Sequence, residues 1–324
     1  MKNKADMLFR HMKNLKRYGI VYEFDTVKRK IGFTKDISVY DINQVKKYFE
    51  RNEDKIPEEI CERYRLIMGH EMDMSYPGLF TEWIQWLRIN DNIEKKAILA
   101  DKELVKDWAK EIIGEDHIIP TYGAWDYYDD INLDELPNEF VLKCNHGSGM
   151  NIVVKDKYKI DHDRARKKIE EWLKTEHAYY ALEMHYKLIP HRIIAEEYIN
   201  DLNGVLTDYK FHCFNGKPEF VQVIERRADG HGYQLHYDMN WKNLGWTFED
   251  YPPIRTEPKK PKCFEEMQDI SAKLSKEFRY VRVDLYDIKG KTFFGEMTFT
   301  PRGGYYPYVG TWTIEKDKLL GGLV

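Results

Sequence analysis

The chain has 324 residues, 33% of them charged, and a formal net charge of −4. That length holds one large domain or two to three small ones. The near balance of charge argues against a generic polyanion binder, so nucleic acid is not expected as a partner. No apolar run of about 18 residues occurs, and Met1–Asp6 lacks the apolar core of a signal peptide, so a cytoplasmic protein without a transmembrane segment is expected. Cys61, Cys144, Cys213 and Cys263 are scattered without C-x-x-C spacing, which predicts neither a zinc site nor a disulfide framework.

Residues 1–95 read as a mainly helical N-terminal region. Leu8, Met12, Leu15 and Tyr18 recur at helical spacing, and Asp41 is placed to cap a second helix through Val45, Tyr48 and Phe49. Phe80, Trp83, Ile84, Trp86 and Leu87 form an aromatic patch, expected to be a packing surface. A helix is predicted over Asp101–Ile113, capped by Asp101, with Leu104, Val105, Trp108 and Ile112 as its apolar stripe and Gly114 as its stop. Lys102, Lys106 and Lys110 fall on the opposite face, by default a solvated one. Lys102 differs from the other two, because a lysine in the first turn, at the positive end of the helix dipole, is not favoured unless an anion is near.

Phe140–Leu142 is a short strand that ends in Lys143 and the small turn His146-Gly147-Ser148-Gly149, before Asn151–Val154 resumes as a second strand. Glycines there let the backbone N–H groups cradle phosphate oxygens, and Lys143 adds a point charge. The spacing is not that of a P-loop, and a plain hairpin turn explains the same residues. A helix follows at about Asp161–Leu173, then the strand Ile193–Ile199, which carries Glu196, Glu197 and Tyr198. Asp208–Phe214 turns at Asn215-Gly216 into Phe220–Ile224, the strongest hairpin signal in the chain. A proline-rich loop at 249–262 precedes the helical stripe Met267, Ile270, Leu274 and Phe278. Last come Val281–Tyr286, the turn Lys289-Gly290, and Phe293–Phe299. Arg282 and Asp284 share a strand face, with Glu296 on the strand across the turn. Two acids so placed repel unless a cation lies between them or Arg282 neutralises one.

Taken in order, ILADKELVKDWAKEIIGEDHIIPTYGAWD, LPNEFVLKCNHGSG, IIAEEYI, DYKFHCFNGKP, HYDMNW, RVDLY and FFGEMTFTPRGG resemble the ATP-grasp superfamily, and within it the TupA-like branch of teichuronopeptide biosynthesis, found with bacterial capsule and surface-polysaccharide genes. The motifs cover roughly residues 80–310. The resemblance implies an α+β fold in which two α+β lobes grip ATP: residues 96–324, with a nucleotide lid at about 137–200 and a catalytic and metal lobe at about 201–310. It implies that Lys102 and Lys143 contact the phosphates under the His146–Gly149 turn. It places Glu197 and Ile199 at the adenine edge, Tyr198 packing nearby, and Asp208 or Lys210 near the ribose. Asp284 and Glu296 match the Mg2+ carboxylates, and Arg282 the residue facing the transferred phosphate. Thr298 stands where many members carry asparagine, so it is expected to be a poorer metal ligand. Arg226 and Arg302 are candidates for an anionic substrate.

The activity implied is ATP-dependent ligation of a small-molecule or glycan-linked carboxylate to an amine through an acyl-phosphate. Two rivals use the same residues: a sugar kinase or glycosyltransferase of the same pathway, and a non-catalytic ATP-binding scaffold. The scaffold has no need of the intact set Lys102, Lys143, Asp284 and Glu296. The kinase shares the first phosphoryl transfer.

Overall fold

A computed structural model of the chain describes residues 42–199, 206–225, 233–246, 257–306 and 311–324. The stripe Leu8–Tyr18, the cap at Asp41 and the candidate Arg226 lie outside the described residues.

Among the described residues five helices come first: α1 (Ile42–Glu50), α2 (Ile56–Met68), α3 (Phe80–Asn90), α4 (Ile93–Ala100) and α5 (Leu104–Ile113). Helix α3 begins where the Glu82 side chain accepts the N–H groups of Gly78 and Leu79, satisfying donors that the helix itself leaves open. The aromatic patch on α3 is a packing surface: Phe80, Ile84 and Leu87 are buried, and Arg279 lies over the rings of Trp83 and Trp86. Thr81 is tied to the buried Asp317 of the last helix, α9 (Ile314–Gly321), through N–H and hydroxyl bonds of 2.9 and 2.7 Å.

The smaller sheet is antiparallel with strand order β1-β4-β2-β3, made from Thr121–Trp125, Ile193–Glu197, Phe140–Cys144 and Asn151–Val154. Strand alternation turns Phe140 and Leu142 inward against Ala165 and Ile169 of α6 (His162–Leu173), and leaves Lys143 on the other face. The expected hairpin from Phe140 to Val154 is present, with Lys143 opposite Asn151.

The larger sheet, also antiparallel, has the order β7-β6-β5-β8-β9, from Tyr233–Asp238, Lys217–Glu225, Asp208–Phe214, Tyr280–Ile288 and Lys291–Thr298. Its two tight turns use residues of positive φ, Asn215 with Gly216 and Lys289 with Gly290, the backbone that matches strand twist in two-residue hairpins. One face carries Tyr209, Phe211, Cys213, Val221, Val223, Val281, Val283 and Leu285. It packs on Phe264, Met267, Ile270 and Leu274 of α8 (Phe264–Ser275) and on Val105 and Ala109 of α5. The opposite face carries both an apolar part, where Phe214, Phe220 and Tyr280 pack with Phe80 and Ile84 of α3, and a polar part with Lys210, Gln222, Asp284 and Glu296.

Candidate active site

Strand register builds the polar face of the larger sheet. Lys210 pairs with Asp284 and Asp284 with Glu296, while His212 pairs with Arg282 and Arg282 with Thr298. On the far side Lys210 pairs with Gln222 and Gln222 with His236, so His236, Gln222, Lys210, Asp284 and Glu296 form one row across five strands. This alignment depends on a bulge. Asp284 faces Glu296 but Leu285 faces Phe294, so Gly295 is the extra residue that lets Phe294 enter the core while Glu296 stays on the polar face. A Cβ on Gly295 would lie 2.8 Å from the Tyr286 ring and 3.0 Å from the Asp284 carbonyl oxygen.

Asp284 is only 1% exposed and is held by two cations. Arg282 donates from Nε to Oδ1 at 2.6 Å and from Nη2 to Oδ2 at 2.7 Å, and Lys210 donates to Oδ2 as well. Burial alone would raise the carboxyl pKa, but the two cations outweigh it and hold the pKa below the ordinary aspartate value. Arg282 also reaches Thr298 Oγ1 at 3.0 Å and Glu296 at 3.6 Å.

The smaller sheet supplies a second cluster. Glu196 is 4% exposed and bridges Lys143, which donates to it, and Lys106, 2.9 Å away. Its pKa too is lowered, the lysines overcoming a large desolvation cost. Lys106 also donates to the Ile119 carbonyl and the Thr121 hydroxyl, and burial lowers its own pKa. Tyr286 connects the clusters: its phenol, raised well above the ordinary value chiefly by burial, also feels Asp208, Glu296, Asp284 and Glu196.

Lys102 spans the gap. It lies in the turn before the regular helix, which starts at Leu104. Asp101 caps this turn as expected, taking the N–H groups of Glu103 and Leu104 on Oδ1 and that of Val105 on its carbonyl, and on Oδ2 it takes the Asn145 amide at 2.9 Å. That amide also donates to the Pro190 carbonyl, while Asn145 Oδ1 accepts the Arg192 N–H. The turn after Lys143 is thereby fixed to the start of α5. Lys102 then donates to the Gly147 carbonyl and lies 3.9 Å from Glu296 of the other sheet.

A third wall comes from the short helix α7 (His177–Ala181) and the helical turn Met184–Leu188. Glu183 accepts a hydrogen bond from Thr300, joining this wall to the end of β9. Next to Thr300 the residues Arg302, Gly303 and Gly304 all have positive φ, and Arg88 and Gln85 of α3 both donate to the Gly303 carbonyl. Arg302 is exposed, with its guanidinium 5.7 Å from the Tyr306 ring centre.

Most of the residues singled out by sequence lie around this cleft, with three differences. The His146 ring is buried, stacked on His191 at 3.6 Å and 3.1 Å from the Trp172 carbonyl, and burial pushes its pKa down to about 3. It supports the turn from beneath, and Ser148 and Gly149 form the exposed tip. Lys210 sits against Asp284, with Asp208 3.6 Å away. The N–H of Glu197 is already bonded to the Pro120 carbonyl, while Tyr198 and Ile199 continue the chain past the strand end, and Lys155 lies over the Tyr198 ring. Sequence reasoning missed Glu196 and Lys106. An acid directly after Ile193-Ile194-Ala195, one residue before the exposed Glu197, was the available signal for a buried, paired carboxylate. Lys106, on the helix face expected to be solvated, is buried.

Among the described residues no group of three or more His, Cys, Asp or Glu could hold a metal ion by itself. Asp284 and Glu296 still fit Mg2+, which commonly takes one or two carboxylates and completes its shell with phosphate oxygens and water. In this geometry Arg282 and Lys210 occupy both oxygens of Asp284.

No curated protein matches the chain. Among solved structures it is similar to the D-alanine–D-alanine ligase of Bacillus anthracis, with 20% identity over 71% of this chain and 64% of that one and a TM-score of 0.40. The chain thus spans less than two thirds of that ligase. It is similar also to the D-alanine–D-alanine ligase of Helicobacter pylori (16%, 76% and 69%, 0.42) and to the L-amino acid ligase of Bacillus licheniformis (12%, 83% and 57%, 0.38). The family described as TupA-like ATPgrasp matches residues 82–324, which include both sheets and every cleft residue named above. The chain belongs to the TupA-like ATP-grasp family and with it takes the ATP-grasp fold.

Proposed function

We propose that the protein is an ATP-dependent carboxylate–amine ligase that makes an amide through an acyl-phosphate and releases ADP and phosphate. The observation that carries this reading is Lys102, which touches the glycine turn of one sheet and Glu296 of the other. With Lys143, Lys210 and Arg282 it surrounds a cleft with positive charge contributed by both lobes. Such an arrangement serves a reaction in which an anionic carboxylate must approach an anionic triphosphate.

In this reading Lys102 and Lys143 hold the phosphates beneath the Gly147-Ser148-Gly149 turn. Glu197, Tyr198 and Ile199 border the adenine, and Asp208 the ribose. Arg282 faces the transferred phosphate. Asp284 and Glu296, with Thr298 a minor contributor, hold Mg2+, which when bound neutralises phosphate charge. Arg302 grips the carboxylate of the acid, since a guanidinium binds that group with two hydrogen bonds. The acid is a small-molecule or glycan-linked carboxylate, and the setting is capsule or surface-polysaccharide biosynthesis in the cytoplasm. The test is ADP formation with Mg2+ and ATP across D-glucuronate, D-galacturonate, L-glutamate and D-alanine, with amines added and product masses measured. ADP and free phosphate released only with acid and amine together are expected. A phosphorylated sugar formed without an amine would make the protein a kinase.

A further inference from the structure

The third wall carries groups that ATP binding and carboxylate activation leave unused. His177 is half-buried, and its Nδ1 would lie 3.6 Å from a Cβ built on Gly147, so the imidazole borders the glycine turn where Lys102 is anchored. Its ring stands edge-on to Tyr186, with centroids 4.8 Å apart and planes at 81°. The Tyr186 phenol in turn feels Glu183, Glu296 and Arg282. His177 therefore lies between the glycine turn of the smaller sheet and a wall that meets the larger sheet at the end of β9. The groups around it are Tyr180 and Tyr186, Glu183 and His185 from the helical turn, Lys102 from the loop before α5, and His146 and His191 beneath. Burial is the leading effect on its pKa, which is lowered, so the imidazole is neutral near neutral pH.

An amine ligase needs such a group. Alkyl amines are protonated near neutral pH, and an ammonium has no lone pair to attack with. We infer that His177, with Tyr186 set against its ring, receives the proton of the incoming ammonium on the third wall of the cleft. The inference rests on the ligase reading. The imidazole takes one proton from R–NH3+ and later releases it to solvent, which it can do because it is half-exposed. The freed lone pair forms the C–N bond at the acyl carbon. The C–O bond to phosphate breaks and its electron pair leaves on phosphate, which also takes a second proton from nitrogen.

The test compares two nucleophiles of similar size, hydroxylamine, which is neutral near neutral pH, and ammonium, which is not. Wild type, His177→Gln and His177→Asn are assayed with ATP, Mg2+ and the four acids named above. Both variants should lose about a hundredfold with ammonium and stay within about threefold of wild type with hydroxylamine. The ammonium loss should shrink as pH rises and free ammonia accumulates, a trend that a purely structural defect does not give. Equal losses with both nucleophiles in both variants, or full ammonium activity in either, would overturn the role of His177 and leave the ligase reading standing. A wild-type protein that forms no hydroxamate with any of the acids would remove both.

Discussion

The two sheets solve the same electrostatic problem with different sets of charges, cations outnumbering acids three to two in the larger sheet and two to one in the smaller. In the larger sheet a buried acid, Asp284, is gripped by Arg282 and Lys210, and the half-buried partner acid Glu296 shares Arg282 and Lys102. In the smaller sheet one buried acid, Glu196, restrains two lysines, Lys106 and Lys143. In the proposed function the half-buried Glu296 of the first site serves a cation and the half-exposed Lys143 of the second serves phosphate. The buried acid in each is the member that keeps its neighbours ordered, so a buried carboxylate here positions charge as much as it supplies it.

The comparison breaks most visibly at Asp284. Asp284→Asn leaves Arg282 and Lys210 without their common anion. Acid-dependent ADP formation should fall by about a thousandfold, and urea unfolding should show a loss of about 3–5 kcal/mol. Unchanged stability would mean that the cations find other partners.

Acid should weaken the whole molecule, and earlier than its carboxylates alone would dictate. Burial leaves His146 and His185 with pKa values of about 3, His236 about 4 and His212 well below normal. A depressed folded pKa contributes stability that is fully present above the unfolded value of 6.5 and is lost as pH falls towards the folded one. Each such histidine should remove about 1.4 kcal/mol per pH unit in that window. Asp284 and Glu196, also depressed, add their loss only below the ordinary carboxylate range. Denaturant unfolding from neutral pH downwards checks this. Stability that stays flat until the carboxylates titrate would contradict it.

The two lysines on Glu196 sharpen the contrast within the smaller sheet. Lys143 is half-exposed and Lys106 is buried with two further bonds. Lys143→Ala should weaken ATP about tenfold to a hundredfold in a calorimetric titration, with a modest loss of stability. Lys106→Ala should act chiefly on stability. The smallest effect expected is at Thr298, whose hydroxyl accepts from Arg282. Thr298→Ala should keep activity within about tenfold of wild type.

Sequence patterning found seven of the nine strands among the described residues, because alternation and the Asn215-Gly216 and Lys289-Gly290 turns are local signals, but it missed the edge strands Thr121–Trp125 and Tyr233–Asp238. It also paired Asp284 with Glu296 across a hairpin. The role of Gly295 was hidden, since a bulge becomes visible only when both strands are in register. Glu196 and Lys106 were missed for a similar reason: their ion pair joins a strand to a helix 90 residues apart in sequence, and each taken alone looks like a solvated charge. The inward turn of His146 depends on His191 and Trp172, both distant in sequence. His177 and Tyr186 lie in a stretch without periodicity or motif, and only the packing of the third wall brings them to the cleft.

The central claim is that the cleft joins a carboxylate to the γ-phosphate before an amine attacks, and oxygen labelling tests it directly. An acid from the panel, labelled with oxygen-18 in both carboxylate oxygens, is turned over with ATP, Mg2+ and an amine, and the phosphate released is analysed by mass. An acyl-phosphate route transfers one labelled oxygen from each carboxylate into phosphate, so singly labelled phosphate should match the amide formed. Unlabelled phosphate alongside the product would contradict the account.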